Sequence, residues 1–260
     1  MIPEKTNPLR KVSIIGIEGL PVIKTGDNLA ELICEAVRKM GIEILDGDIL
    51  VVTHKIVSNS EGNVVNLDQV VPSEFARNIA LQTGKDPALV EIVLQESKEI
   101  RRLAEGVLIT QTKHGWVCAN SGVDKSNVRG ERFVVTLPKD PDESARRIRE
   151  KIRELTHRTV AVVISDSHGR PARMGEINVA IGVSGIKPIR DRRGEKDLFG
   201  RVLRVKQTAI ADEVSSAAEL VIGQADEGIP VAIVRGVTYS KSEDSKANEL
   251  VRPKEKDLFK

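Results

Sequence analysis

Apolar residues recur along this chain with two periods, and the places where the period changes mark its elements. Leu29, Leu32, Ile33, Ala36, Val37 and Met40 fall on one helical face, so the spacing predicts an amphipathic helix over Asp27–Met40. Thr25 or Asp27 stands where it can cap the start, and Gly41 follows the end. Short helices are predicted over Ser73–Gln82 and Pro87–Ser97, the second with proline at a favoured first position. A longer charged helix is expected over Asp142–Leu155 and another over Asp212–Ile222. Strands are predicted at Lys11–Ile17, Asp48–Val57, Val107–Lys113, Trp116–Ala119, Phe133–Leu137, Ile177–Val183, Val202–Ile210 and Pro230–Val234. His114-Gly115 between two of them signals a hairpin. The unbroken run Val160–Ile164 reads as a strand buried on both faces.

Helices and strands mix without a regular alternation, which places the chain in the α+β class with mixed sheets. A polar leader over residues 1–10 is expected, then one domain of two interlocked lobes over 11–239. From 240 to 260 the chain is charged and thinly apolar, and a frayed or weakly docked tail is expected.

The 260 residues are 40% hydrophobic and 30% charged, with a formal net charge of +2. That balance gives no field suited to nucleic acid or an acidic membrane. No apolar run approaches the ~20 residues that span a bilayer, and a soluble, cytoplasmic protein is expected. Aromatics are 2% of the chain, so Trp116 and Tyr239 are nearly the only large polar rings. Cys34 and Cys118 lie in apolar stretches without metal-like spacing and read as free thiols.

The common phosphate-binding glycine motifs and the zinc-protease and hydrolase signatures are absent. Loops rich in oxygen donors remain. The strand at Val160 delivers Asp166, Ser167, His168, Gly169 and Arg170, a set suited to a hard cation beside a phosphate. The plain alternative is a turn capping the strand, because such residues also dominate turns. Asn120–Asn127, with Asp124, and Ile222–Ile229, with Asp226 and Glu227, can each be read as a ligand loop or as ordinary turn chemistry. Gly19-Leu20-Pro21-Val22 is a tight apolar turn. Thr53-His54-Lys55 and the polar loop Ser58–Gly62 place donors after a strand. The run Arg190–Arg193 with Lys196 and Asp197 is a solvated surface or a receiver of an anionic substrate.

Taken in order, these segments resemble the coenzyme F420:L-glutamate ligases, the γ-glutamyl ligase family of deazaflavin cofactor synthesis. The resemblance runs through Gly19–Pro21, Gly26–Ala30, Asp46–Thr53, Val117–Asp124, Ile164–Ser167 with Gly169-Arg170, and Gly223–Gly228. It implies an uncommon two-lobed fold and a homodimeric, GTP-dependent ligase using two divalent cations, Mg2+ or Mn2+, with potassium a further candidate. By position, Asp124 and Asp166 would hold one metal, with Ser167 and Gln224 on the second. Gly19, Leu20, Pro21, Val22, His54, Lys55, Asn59, Asn127 and the loop Ile222, Gly223, Gln224, Ala225, Asp226, Glu227, Gly228, Ile229 would line the nucleotide. Arg170 would contact the transferring phosphoryl group. The implied partners are GTP, L-glutamate and a deazaflavin acceptor. The family usually has lysine at Asn59 and threonine at Ser167. Rival readings are a glutamyl ligase for another acceptor such as a folate, a metal-dependent phosphohydrolase, and a non-catalytic nucleotide-binding regulator.

Overall fold

In the computed structural model, residues 11–128 and 130–257 are described; the expected leader at residues 1–10 lies outside them. The elements are β1 (Ser13–Gly16), α1 (Leu29–Lys39), β2 (Ile49–Thr53), α2 (His54–Ser60), β3 (Val64–Asn66), α3 (Glu74–Thr83) and α4 (Pro87–Gln95). There follow β4 (Ser97–Ala104), β5 (Val107–Thr112), β6 (Val117–Ala119), β7 (Phe133–Val135), α5 (Pro141–Thr156) and β8 (Ala161–Arg170). The chain then forms β9 (Arg173–Ser184), β10 (Arg190–Asp191), β11 (Gln207–Thr208), α6 (Ile210–Ile222) and β12 (Val231–Arg235).

The frame is a five-stranded mixed sheet in the order β1–β12–β2–β8–β9, with β2 and β8 parallel and the other neighbours antiparallel. The α+β class is borne out. The apolar runs of β2 and β8 alternate between two cores. Leu50, Val52, Val162 and Ile164 pack in one with Ile33 of α1 and Ile152 of α5. Ile49, Val51, Ala161 and Val163 pack in the other with Val214 and Ala218 of α6. A third core joins Ile79 of α3, Val90 and Val93 of α4, Leu108 of β5 and Val134 of β7.

Helix starts follow the capping logic, with one correction. Asn28, rather than Thr25 or Asp27, caps α1 by accepting the Glu31 N–H at 3.3 Å, while Asp27 accepts the Lys24 N–H at 2.7 Å. Ser73 and Asp86 cap α3 and α4, and Asp140 caps α5 with Pro141 at its first position.

Four expectations change. The strand expected to run to Val57 ends at Thr53, and His54–Ser60, including Ser58 and Asn59, is helical. The donors expected to leave a strand end at Asp166–Arg170 instead continue β8 and pair with β9. Val202–Ile210 is not one strand: it holds a bridge at Val202, the short β11, and the start of α6. The tail is docked. Ala247 is fully buried, its N–H donates to Asp142 at 3.0 Å, and Glu243 receives a bidentate grip from Arg149 at 2.6 and 2.7 Å.

One irregularity shapes the sheet. Ile164 opposes Gly182 but the next residue, Ser165, opposes Ala180, so Ile181 is an extra residue in β9. Bulges of this kind free backbone donors. Here Asp142 accepts the Val183 N–H at 2.8 Å and Asp212 accepts the Ala180 N–H at 2.9 Å.

Candidate active site

Parallel pairing of β2 with β8 sets Thr53 opposite Ser165, so the residues just beyond each meet. His54 opens α2 and Asp166 continues β8, and both are buried, with His54 Nε2 3.1 Å from Asp166 Oδ1. The contact has ion-pair distance without hydrogen-bond alignment, and both ring nitrogens lack a hydrogen-bond partner among the described residues. Burial pushes the Asp166 carboxyl up, but His54, His168 and the Ser167 N–H together hold it below the usual carboxylate range.

Lys55, one residue on, reaches across to the loop after β6. Its Nζ lies 2.9 Å from Asp124 Oδ2 and donates to Ser126 Oγ at 2.5 Å. The Ser126 N–H donates to Asp124 Oδ1 at 2.7 Å. Against the effect of burial, Lys55 and Ser126 hold the Asp124 carboxyl down. Asn127 then donates through Nδ2 to the Gln224 carbonyl at 3.1 Å, joining this loop to the one after α6. The Gln224 amide donates to Asn178 Oδ1 at 2.8 Å and Glu219 Oε2 at 3.0 Å.

Of these residues, Lys55, Asn127 and Gln224 border a cleft of about 360 Å³. Leu20, Pro21 and Val22 form one wall, Lys55, Asn59 and Asn127 contribute polar groups, and Ile222 with Gln224–Ile229 closes the other side. Gly19, His54 and Gly223 do not line it: His54 is spent on Asp166, and Gly223 ends α6 with a positive φ of 72°. The acidic loop is internally tied, with Glu227 Oε2 accepting the Ala225 N–H at 2.8 Å.

Arg170 stands elsewhere. Its Nη2 donates to the Met174 carbonyl at 2.8 Å, and with His168 and Gly169 it lines a second cavity of about 340 Å³. Arg101 of β4 and Trp116 line the same cavity. Nothing in the sequence pattern groups them, because half of the residues of β4 are charged and no strand is expected there.

Among the described residues no three His, Cys, Asp or Glu side chains cluster to hold a metal. The donor set nonetheless fits a hard cation. Two carboxylates stay ionised, and the Ser167 hydroxyl and Gln224 Oε1 make no hydrogen bond among the described residues. Cys118, buried nearby, has its thiol pushed up to about 12 by desolvation and by Asp166, so it is a neutral neighbour.

A family model described as F420-0:Gamma-glutamyl ligase matches residues 18–236, from the apolar turn to the end of β12. The chain belongs to the F420-0:gamma-glutamyl ligase family. A relative from Methanocaldococcus jannaschii, named Coenzyme F420:L-glutamate ligase, is 50% identical over 262 residues, covering 100% of both chains. One of the same name from Methanothermobacter thermautotrophicus is 48% identical over 96% of this chain and 99% of its own. A third, from Methanopyrus kandleri, is 44% identical over 94% of this chain and 97% of its own. The family match spans every segment that carried the resemblance. No helix of the described residues is long and apolar enough to cross a membrane.

Proposed function

We propose that this protein is a GTP-dependent ligase that joins the amine of L-glutamate to the terminal carboxylate of coenzyme F420-0, or of its mono-glutamyl form. Full-length similarity to relatives named for that ligation supports the acceptor class. The observation that carries the nucleotide reading is the cleft where Asn127 and Lys55, itself paired with Asp124, meet the Gln224–Ile229 loop. Its apolar wall at Leu20–Val22 suits a base in a chain with few aromatic rings. Lys55 and Asn127 offer donors for phosphate oxygens.

In this reading the acceptor carboxylate attacks the γ-phosphorus in line. The bond to the β–γ bridging oxygen breaks, and GDP leaves with that oxygen. Glutamate's ammonium loses a proton, its nitrogen forms the C–N bond and gives up a second proton, and the C–O bond to phosphate breaks with release of inorganic phosphate. Asp124, Asp166, Ser167 and Gln224 would hold divalent cations such as Mg2+ or Mn2+, which when bound would neutralise charge on the phosphate oxygens. Lys55 holds Asp124 in place and lowers the cost of bringing an anion here. His54 fixes Asp166 from beneath. Exposed Leu198, Phe199 and Val205 on the β10–β11 arm and Met174 at the β8–β9 turn support a homodimer.

Incubation with GTP, manganese, L-glutamate and F420-0 should yield a product heavier by one glutamyl residue in mass spectrometry. Phosphate release that proceeds equally without glutamate, with no mass gain, would identify a phosphohydrolase instead. Asp166→Asn should lower ligation by roughly 100-fold or more with unchanged circular dichroism.

A further inference from the structure

The second cavity has a wall whose polar atoms the described residues leave unsatisfied. Arg101 Nε, Trp116 Nε1, His168 Nδ1 and Arg170 Nε are all buried without a hydrogen-bond partner among the described residues, and all four residues line this one cavity. A buried donor or acceptor left unpaired keeps its full desolvation penalty, so four such atoms around one space call for a partner. Arg101 is the extreme case. Its side chain is 21% exposed, its Nη1 lies 3.6 Å from Glu99, and it donates no hydrogen bond among the described residues. Arg252 and Lys254, on the docked tail, add positive charge at the rim. Two carboxylates, Asp212 and Asp257, line the cavity against the four cationic side chains Arg101, Arg170, Arg252 and Lys254, and Asp212 Oδ1 is engaged by the Ala180 N–H.

We infer that this cavity is the seat of an anionic co-substrate, a carboxylate-bearing molecule whose oxygens take the N–H groups of Arg101, Arg170 and Trp116. The inference rests on the ligase reading for the identity of that anion: it is glutamate or the acidic tail of the acceptor. The placement fits the chemistry. Asp166 and Ser167 belong to the same strand as His168 and Arg170, and at ~3.3 Å per residue the cavity begins roughly 7 Å from Asp166. A carboxylate-bearing partner held there stands beside the nucleotide cleft without occupying it. Arg170 thereby acquires a binding role distinct from contact with the transferring phosphoryl group.

Trp116 is the single tryptophan of the chain, so intrinsic fluorescence reports on this cavity. Titration with L-glutamate should change Trp116 emission saturably if the amino acid binds here. F420-0, followed by its own fluorescence anisotropy, tests the acceptor. Arg101→Ala and Arg170→Ala should each weaken binding of one of the two probes at least tenfold and raise KM for that same substrate. Affinity for a fluorescent GTP analogue should stay within twofold, and Arg101→Lys should recover part of the loss. A rise in KM for glutamate assigns the cavity to the amino acid, and a rise for F420-0 assigns it to the acceptor. Unchanged binding and KM for both in folded Arg101→Ala and Arg170→Ala proteins would overturn the inference. Absence of any ligation by the unaltered protein would instead overturn the ligase reading, with the two binding titrations still deciding whether the cavity takes an anion.

Discussion

Asn59 occupies the wall of the nucleotide cleft as a neutral side chain where a lysine is usual in the family that the sequence resembles. Asparagine offers a phosphate a neutral hydrogen bond, whereas an ammonium adds Coulombic attraction. Lys55 does not replace it freely, because its charge is engaged by Asp124. Asn59→Lys is therefore expected to tighten GTP binding by about 3- to 10-fold at low salt, with the gain shrinking as ionic strength rises. Isothermal titration at two salt concentrations checks this, and equal affinities in both proteins would show that the position does not meet phosphate. Asp124, Asp166 and Gln224 can be marked from sequence because each stands in a segment that carries the family resemblance. Arg101 could not, since nothing near it in sequence belongs to its cavity.

At the level of single elements, legibility followed length. Helices α1 and α5 were readable because three or more turns repeat an apolar face. Helix α2 was not, because Thr53-His54-Lys55-Ile56-Val57 extends the β-branched run of β2 with too few residues for a helical period to emerge. Strand β4 was hidden by Lys98, Glu99, Arg101 and Arg102, which an edge strand tolerates on its open side. Strand β9 hides a tighter constraint. A Cβ on Gly182 would collide with the backbone carbonyl of Pro141, at the first turn of α5. Gly182→Ala must then push α5 away from the sheet and should cost about 1–3 kcal/mol. Chemical denaturation would measure it; a midpoint equal to that of the unaltered protein would show that the helix yields without strain.

For the whole molecule, the sequence conveys the α+β class and a central strand buried on both faces, but it misleads about the carboxyl-terminal segment. Its charge suggested solvation, yet the contacts are few and well placed. Arg149 donates Nε to the Val160 carbonyl at 2.9 Å and grips Glu243 with both terminal nitrogens, while Leu250, like Trp116, packs against the second core and lines the second cavity. Removing residues 240–260 leaves the buried Arg149 guanidinium without its carboxylate and uncovers Trp116. The truncated protein should melt lower, by about 2–4 °C for each kcal/mol lost, and its tryptophan emission should move to longer wavelength. An unshifted spectrum with an unchanged melting temperature would mean that the tail contributes nothing to the fold.

The inserted Ile181 carries a consequence for how such a protein can vary. Asn178, which holds Gln224 beside one cavity, and Ile177 and Val179, which line the other, all lie downstream of that residue in the pairing with β8. Side chains in a strand alternate, so losing one residue there would exchange inside for outside at all three positions together. Point substitutions can retune either cavity alone. A change of length at Ile181 would rewrite both in one step, which makes this stretch of β9 free to change in composition and closed to insertion or deletion.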